Sequence, residues 1–170
     1  AWVRATPTGR HGIGAKVSRL EVHYLAQPNG GKFQISFNGQ TVEVDTHAEL
    51  AEPKLVKLKT VLGRHSVTVK VIGGGEVRLF GIAFERPGGV VYDALGLEGV
   101  RAKLLLKMNM AHWYAQIRSR NPDLFVLHYG TNESEQEEMN FQRYRKTLKR
   151  VILRFKRAVP KASCLLVSPM

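Results

Sequence analysis

The sequence predicts a two-part α+β chain, an antiparallel β-sandwich followed by part of an open α/β domain. Three observations carry this. Residues 16–84 run in short segments of period-two alternation, enriched in Val, Phe, Ile and Thr and divided by turn residues, with no helical stretch among them. At Glu85-Arg86-Pro87-Gly88-Gly89 the chain turns a corner and its pattern changes. Beyond that corner, short apolar runs alternate with longer stretches of helical spacing. Strand, helix, strand, helix, strand is the order of a parallel sheet with right-handed crossovers.

In the first part, residues 1–14 read as a loop or weak edge strand rich in Gly and basic residues. Residues 17–25 form a strand with Val17, Leu20, Val22 and Tyr24 as the buried set. Gln27-Pro28-Asn29-Gly30-Gly31 is a strong turn signal. Residues 33–37 alternate cleanly, Asn38-Gly39 suits a two-residue hairpin turn, and residues 40–44 return. Residues 55–62 and 65–72 read as a further pair, and Gly73-Gly74-Gly75 leads into a last strand over 77–84.

In the second part, Val90-Val91-Tyr92-Asp93 is predicted as a short strand, 94–99 as a glycine-containing loop and 100–119 as one helix. Leu104, Leu105, Met108, Ala111, Trp113 and Ile117 supply its apolar spacing. A buried strand follows over 123–128. The next helix, over about 135–158, carries Phe141, Tyr144, Leu148, Val151, Ile152 and Phe155 on one face, with Glu135, Glu137 and Glu138 as acids opposing its dipole. Residues 162–168 form a final buried strand. Three parallel strands and two helices leave an edge and a face uncovered, so the chain is expected to be an excerpt of a longer protein.

Composition narrows the partners. The net charge of +12 favours an anionic partner such as nucleic acid, an acidic polysaccharide or a membrane surface. No run is long and apolar enough to span a bilayer. The single cysteine, Cys164, excludes an internal disulfide and a multi-cysteine metal site, and its apolar neighbours place it among buried residues. The histidines lack ligand spacing, so neither a metal nor another cofactor is expected. Arg143, Arg145, Lys146, Lys149, Arg150, Arg154, Lys156 and Arg157 make the second helix densely basic. Such a run suits a phosphate backbone, yet around a regular apolar face it reads better as the solvated side of the helix. Trp2, His23, Tyr24, Phe33 and Phe37 are candidates for stacking on sugars, although alternating aromatics in strands more often face a core.

The stretch with most chemical content is the apolar run 125–128 ending in Tyr129-Gly130-Thr131-Asn132-Glu133-Ser134. A strand, a tight glycine turn and a helix start are where open α/β sheets place ligand-binding groups. An Asn amide there can donate to a developing oxyanion. It can equally cap the helix, as can Thr131 or Ser134. Glu133 is a candidate to hold the loop by hydrogen bonds. His128 reads as a structural histidine and Trp113 as core.

Three stretches, Gly89-Val90-Val91-Tyr92-Asp93-Ala94-Leu95-Gly96-Leu97-Glu98-Gly99-Val100-Arg101-Ala102, Asn121-Pro122-Asp123-Leu124 and Gly130-Thr131-Asn132-Glu133, together resemble the SGNH (GDSL-type) hydrolase family. The similarity is to the branch containing bacterial peptidoglycan O-acetylesterases, in which a carbohydrate-binding-module-like sandwich is inserted between the first two conserved blocks. Residues 24–84 look like that insert. The resemblance implies a jelly-roll-like sandwich over 1–86, then part of a flavodoxin-like α/β/α hydrolase domain over 87–170. It makes Asn132 an oxyanion-hole residue and gives the second donor to the backbone amide of Gly99 or, alternatively, Gly96. Many relatives have Asn where this chain has Glu98.

The family's Gly-Asp-Ser block and its C-terminal Asp/His block do not occur here. Ser134, Ser163 and Ser168 are poor candidates for a nucleophile, so no triad can be assembled. The implied parent is a serine esterase of the bacterial envelope, periplasmic or extracellular, that removes O-acetyl groups from peptidoglycan or another polysaccharide. Its partners would be that acetylated polymer and the remainder of its own hydrolase domain, and this chain alone is expected to be inactive. The alternative is a non-catalytic carbohydrate-binding module, with basic nucleic-acid binding behind it.

Overall fold

In the computed structural model, which describes residues 1–9, 13–135 and 140–168, the chain forms two compact units, Ala1–Asp93 and Ala94–Met170. The first holds β1 (Trp2–Ala5), β2 (Val17–Ala26), β3 (Lys32–Phe37), β4 (Gln40–Asp45), β5 (Glu52–Gly63), β6 (Val67–Gly73) and β7 (Arg78–Glu85). They form a four-stranded sheet in the order β1-β6-β3-β4 and a three-stranded sheet in the order β5-β2-β7, with every pairing antiparallel. Leu20, Val22 and Tyr24 from one sheet meet Phe33, Ile35, Phe37, Val67 and Val69 from the other in a single core. Alternation along each strand makes this possible, because one side of every strand is apolar.

The buried set expected on β2, Val17, Leu20, Val22 and Tyr24, is buried. The hairpin at Asn38-Gly39 is also present, both residues having positive φ (52° and 74°) as its tight turn requires. Residues 55–62 and 65–72, expected as a pair, do not pair with each other. β5 lies beside β2 and β6 lies between β1 and β3, so the chain crosses from one sheet to the other at 64–66. Pro53 is compatible with β5 because that strand is an edge. Tyr24, Phe33, Phe37 and His23 are buried, which removes them as sugar stackers, whereas Trp2 is 70% exposed.

The second unit holds a 3-10 helix (Ala102–Leu106), α1 (Met110–Arg120), β8 (Leu124–His128), the single turn α2 (Thr131–Ser134), α3 (Phe141–Ala158) and β9 (Ser163–Val167). β8 and β9 pair in parallel, and Phe125, Leu127, Trp113, Val151 and Ala158 form the core under them. Phe155 stacks on Phe125 at 4.6 Å between ring centroids and meets Trp113 edge-on at 4.7 Å.

Several expectations fail here. Residues 90–93 form no strand. Val90 is 98% and Tyr92 86% exposed, and without a partner an extended run has no ladder to join. The parallel sheet therefore has two strands among the described residues, and of its apolar side chains only Phe125 and Leu127 are buried. Leu124, Val126, Leu165 and Val167 all lie open, so neither β8 nor β9 is a fully buried strand, and Cys164 is half-buried.

The helix expected over 100–119 is broken. Lys107 ends the 3-10 turn, and the Asn109 side chain caps α1 by accepting from the His112 amide at 3.0 Å. Within that stretch Ala111 is exposed while Trp113 is buried. Asn121, at φ 43°, closes α1 in the left-handed conformation that Asn tolerates.

The last helix begins at Phe141, capped by Asn140 accepting from the Arg143 amide at 2.8 Å, and Phe141 itself is 73% exposed. Its first turn holds no acid. Glu135 is the C-cap of α2, and Glu137 and Glu138 lie outside the described residues.

Candidate functional site

Strand β8 delivers its chain into the turn that starts at Tyr129. Gly130 there has φ 136° and ψ −32°, a combination that a side chain would strain, and it opens the one-turn helix α2. Among the described residues none of Thr131, Asn132 or Ser134 caps a helix through its side chain. The Ser134 hydroxyl donates back to Thr131 O at 2.8 Å, and α2 has no side-chain cap. Asn132 is therefore left to face another segment.

That segment is 99–102. The Asn132 side-chain amide donates to Val100 O at 3.1 Å, Arg101 Nε donates to Asn132 O at 3.0 Å, and Glu133 Oε1 accepts from the Ala102 amide at 2.7 Å. Three successive residues of one loop are thus tied to two successive residues of the other. An Asn amide nitrogen carries two hydrogens, and the bond to Val100 engages one, so the group is held in place with a donor to spare. Gly99 immediately precedes this contact. Its φ of 71° is left-handed, a side chain there would meet open space among the described residues, and its amide donates to no backbone acceptor among them. Gly96 is exposed, and its backbone does not take the left-handed conformation.

Glu133 is 8% exposed, and its Oε2 has no hydrogen-bond partner among the described residues. Nearby, the Tyr144 hydroxyl donates to Tyr129 O at 2.8 Å and so ties α3 to the loop. Burial pushes the Tyr129 and Tyr144 phenols above their usual range, and the Glu133 carboxylate adds to this in both. An open pocket of about 290 Å³ adjoins the site, lined by Gly99, Val100, Arg101, Lys103, Leu104 and Lys107. No group of His, Cys, Asp and Glu among the described residues is placed to hold a metal ion.

Some functional groups lay beyond sequence reasoning. Arg154, counted with the solvated cations of the last helix, is buried. Its Nη2 donates to Met108 O at 2.9 Å, its Nη1 donates to Leu105 O, and the guanidinium lies 4.7 Å from the Trp113 ring centre. The available signal was spacing: 151, 154 and 158 share one helix face. His128, expected as a structural histidine, is exposed at the end of β8.

No protein-family model matches the chain, and no curated protein matches it in sequence. Among solved structures, a peptidoglycan O-acetylesterase is similar with a TM-score of 0.62 at 16% identity, over 98% of this chain and 51% of its own. A family two carbohydrate esterase from Cellvibrio japonicus is similar with a TM-score of 0.34 at 12% identity, over 98% of this chain and 78% of its own. A carbohydrate-binding module of family 35 from Paenibacillus barcinonensis gives 0.28 at 14% identity, over 48% of this chain and 86% of its own. The chain thus shares the fold of the matching part of the O-acetylesterase structure, a β-sandwich before a partial α/β domain. The chain spans about half the length of the O-acetylesterase it matches.

Proposed function

We propose that the chain belongs to a serine esterase of the SGNH type that removes O-acetyl groups from peptidoglycan or another polysaccharide, and that it supplies the oxyanion hole. The observation that carries this is the pairing of the Gly130–Glu133 turn with residues 99–102, which fixes the Asn132 amide beside the left-handed Gly99. Two N–H donors on neighbouring loops suit the oxygen of a tetrahedral intermediate in acyl transfer, and a glycine lets the substrate carbonyl approach. Gly99 is favoured over Gly96 as the second donor because its backbone needs a glycine. The nucleophilic serine and the Asp/His pair come from outside these 170 residues. The protein acts in the bacterial envelope, periplasmic or extracellular, and among the described residues no helix is long and apolar enough to cross a membrane.

Two measurements test this. In the protein extended to include a Gly-Asp-Ser block and an Asp/His block, Asn132→Ala lowers kcat for acetyl-ester hydrolysis by roughly 100- to 1000-fold, the usual effect of losing one oxyanion donor. The 170-residue chain by itself does not turn over p-nitrophenyl acetate. Serine-dependent turnover by that chain, or an Asn132→Ala enzyme of full activity, overturns the proposal.

A further inference from the structure

The pocket beside Gly99 carries charge that oxyanion stabilisation does not use. Arg101, Lys103 and Lys107 all line it, and no acidic residue does. None of the three has a carboxylate within ion-pair distance among the described residues. Arg101 is further anchored through Nε on Asn132 O, so one of the cations is tied to the loop that holds the proposed oxyanion donor. A concave site lined by three cations and by no acidic residue suits an anion.

We propose that this pocket binds an anionic substituent, a carboxylate or a phosphate, on the glycan whose ester is held at Gly99 and Asn132. The assignment rests on the ester-hydrolase reading and adds a substrate class to it: acidic rather than neutral glycan. Lys103 and Lys107 are the recognition residues. Arg101 orients the loop through Asn132 O and adds its charge to the pocket. A volume of about 290 Å³ suits one sugar unit with its substituent. No aromatic side chain lines the pocket, so it lacks the stacking surface by which single-stranded nucleic acid is held.

The test is a binding titration of the 170-residue chain at about 0.15 M salt, where distant charges are screened. The probes are a trigalacturonate, a ribitol-phosphate oligomer, neutral cellohexaose and a single-stranded oligonucleotide matched to the acidic probes in charge. Binding of the trigalacturonate or of the phosphate oligomer, tighter than cellohexaose, is the expected result, and which of the two binds identifies the anion. The double variant Lys103→Gln with Lys107→Gln weakens that binding about tenfold, as expected for two exposed ion pairs. The double variant Lys103→Arg with Lys107→Arg retains it.

Arg157→Gln with Lys161→Gln removes the same charge from residues that do not line the pocket, and changes affinity less than about twofold at this screening. Equal losses from the two Gln pairs would reduce the effect to net charge and overturn the proposal. So would cellohexaose binding as well as the acidic glycans, the oligonucleotide binding as tightly as either, or no saturable binding at all. No ester is cleaved in this titration, so its failure leaves the esterase reading to the Asn132→Ala turnover test, and the converse holds.

Discussion

Glu133 shows how one side chain can set the geometry of a loop pair. Its Oε1 accepts from the Ala102 amide at 2.7 Å from within a buried site, and the carboxylate comes from the residue next to Asn132. Glu133→Ala leaves the Ala102 N–H buried without an acceptor and removes a charge-assisted bond, a loss of about 1.5 to 3 kcal/mol that chemical denaturation would measure. In the extended enzyme the same change lowers kcat more than it alters KM, because it frees the donor loop without touching bound substrate. Three buried or half-buried tyrosines make a second prediction. Tyr24, Tyr129 and Tyr144 all have phenols held above their usual value of 10.0, in each case chiefly by burial. A raised folded-state pKa contributes stability that is fully present below the unfolded value and is lost as pH climbs toward the folded one. Stability is therefore independent of these groups below about pH 10 and falls above it. Phenolate absorbance should rise in step with loss of near-ultraviolet circular dichroism, and early ionisation of all the tyrosines in the folded state would contradict this.

At the scale of elements, α3 is held by its apolar face and by one inward cation. Arg154 satisfies two carbonyls at the end of the 3-10 segment and covers Trp113. Helix ends leave carbonyls without intrahelical partners, and here a side chain from another helix supplies the donors. Arg154→Met keeps much of the bulk but abandons Leu105 O and Met108 O, and is expected to cost about 2 to 4 kcal/mol in unfolding free energy. Arg154→Lys recovers only part of that, since a single ammonium does not reproduce the planar fork. Full stability in the Lys variant would show that charge alone matters at this position. Arg118 acts similarly on a smaller scale, its Nε donating to Ala158 O at 3.3 Å near the end of α3.

At the scale of the whole molecule, the two units differ in how well they bury what they carry. The sandwich closes on a core with residues such as Phe33, Leu20 and Ile35 fully buried. The α/β unit leaves one face of its two-stranded sheet apolar and open at Leu124, Val126, Leu165 and Val167. A parallel sheet is normally covered on both faces. The isolated chain should therefore bind a hydrophobic dye such as ANS, and Val126→Lys with Leu165→Lys, neighbours across the β8 and β9 ladder, should remove most of the signal. A dye signal unchanged by that double variant would place the exposed apolar surface elsewhere. Residues 86–101, which carry no helix or strand and include the exposed Val90 and Tyr92, are where limited proteolysis should first cut.

Sequence by itself determined what depends on local pattern. Alternation in 17–45 placed the core residues of β2 and β3, Asn38-Gly39 placed a hairpin, and the apolar run before Gly130 placed a strand end with a polar loop after it. It also brought out Asn132, though not what holds it. Only the tertiary structure decided the rest, because those outcomes depend on partners remote in the chain. Residues 90–93 have a strand's composition but no neighbouring ladder, and 55–62 and 65–72 follow one another yet join different sheets. Arg154 belongs to a basic run, yet two carbonyls nearly fifty residues away draw it inside. The contact between 99–102 and 130–133 is of the same kind. Each loop alone is a polar turn, and a fixed donor arises only where the fold sets Val100 against Asn132.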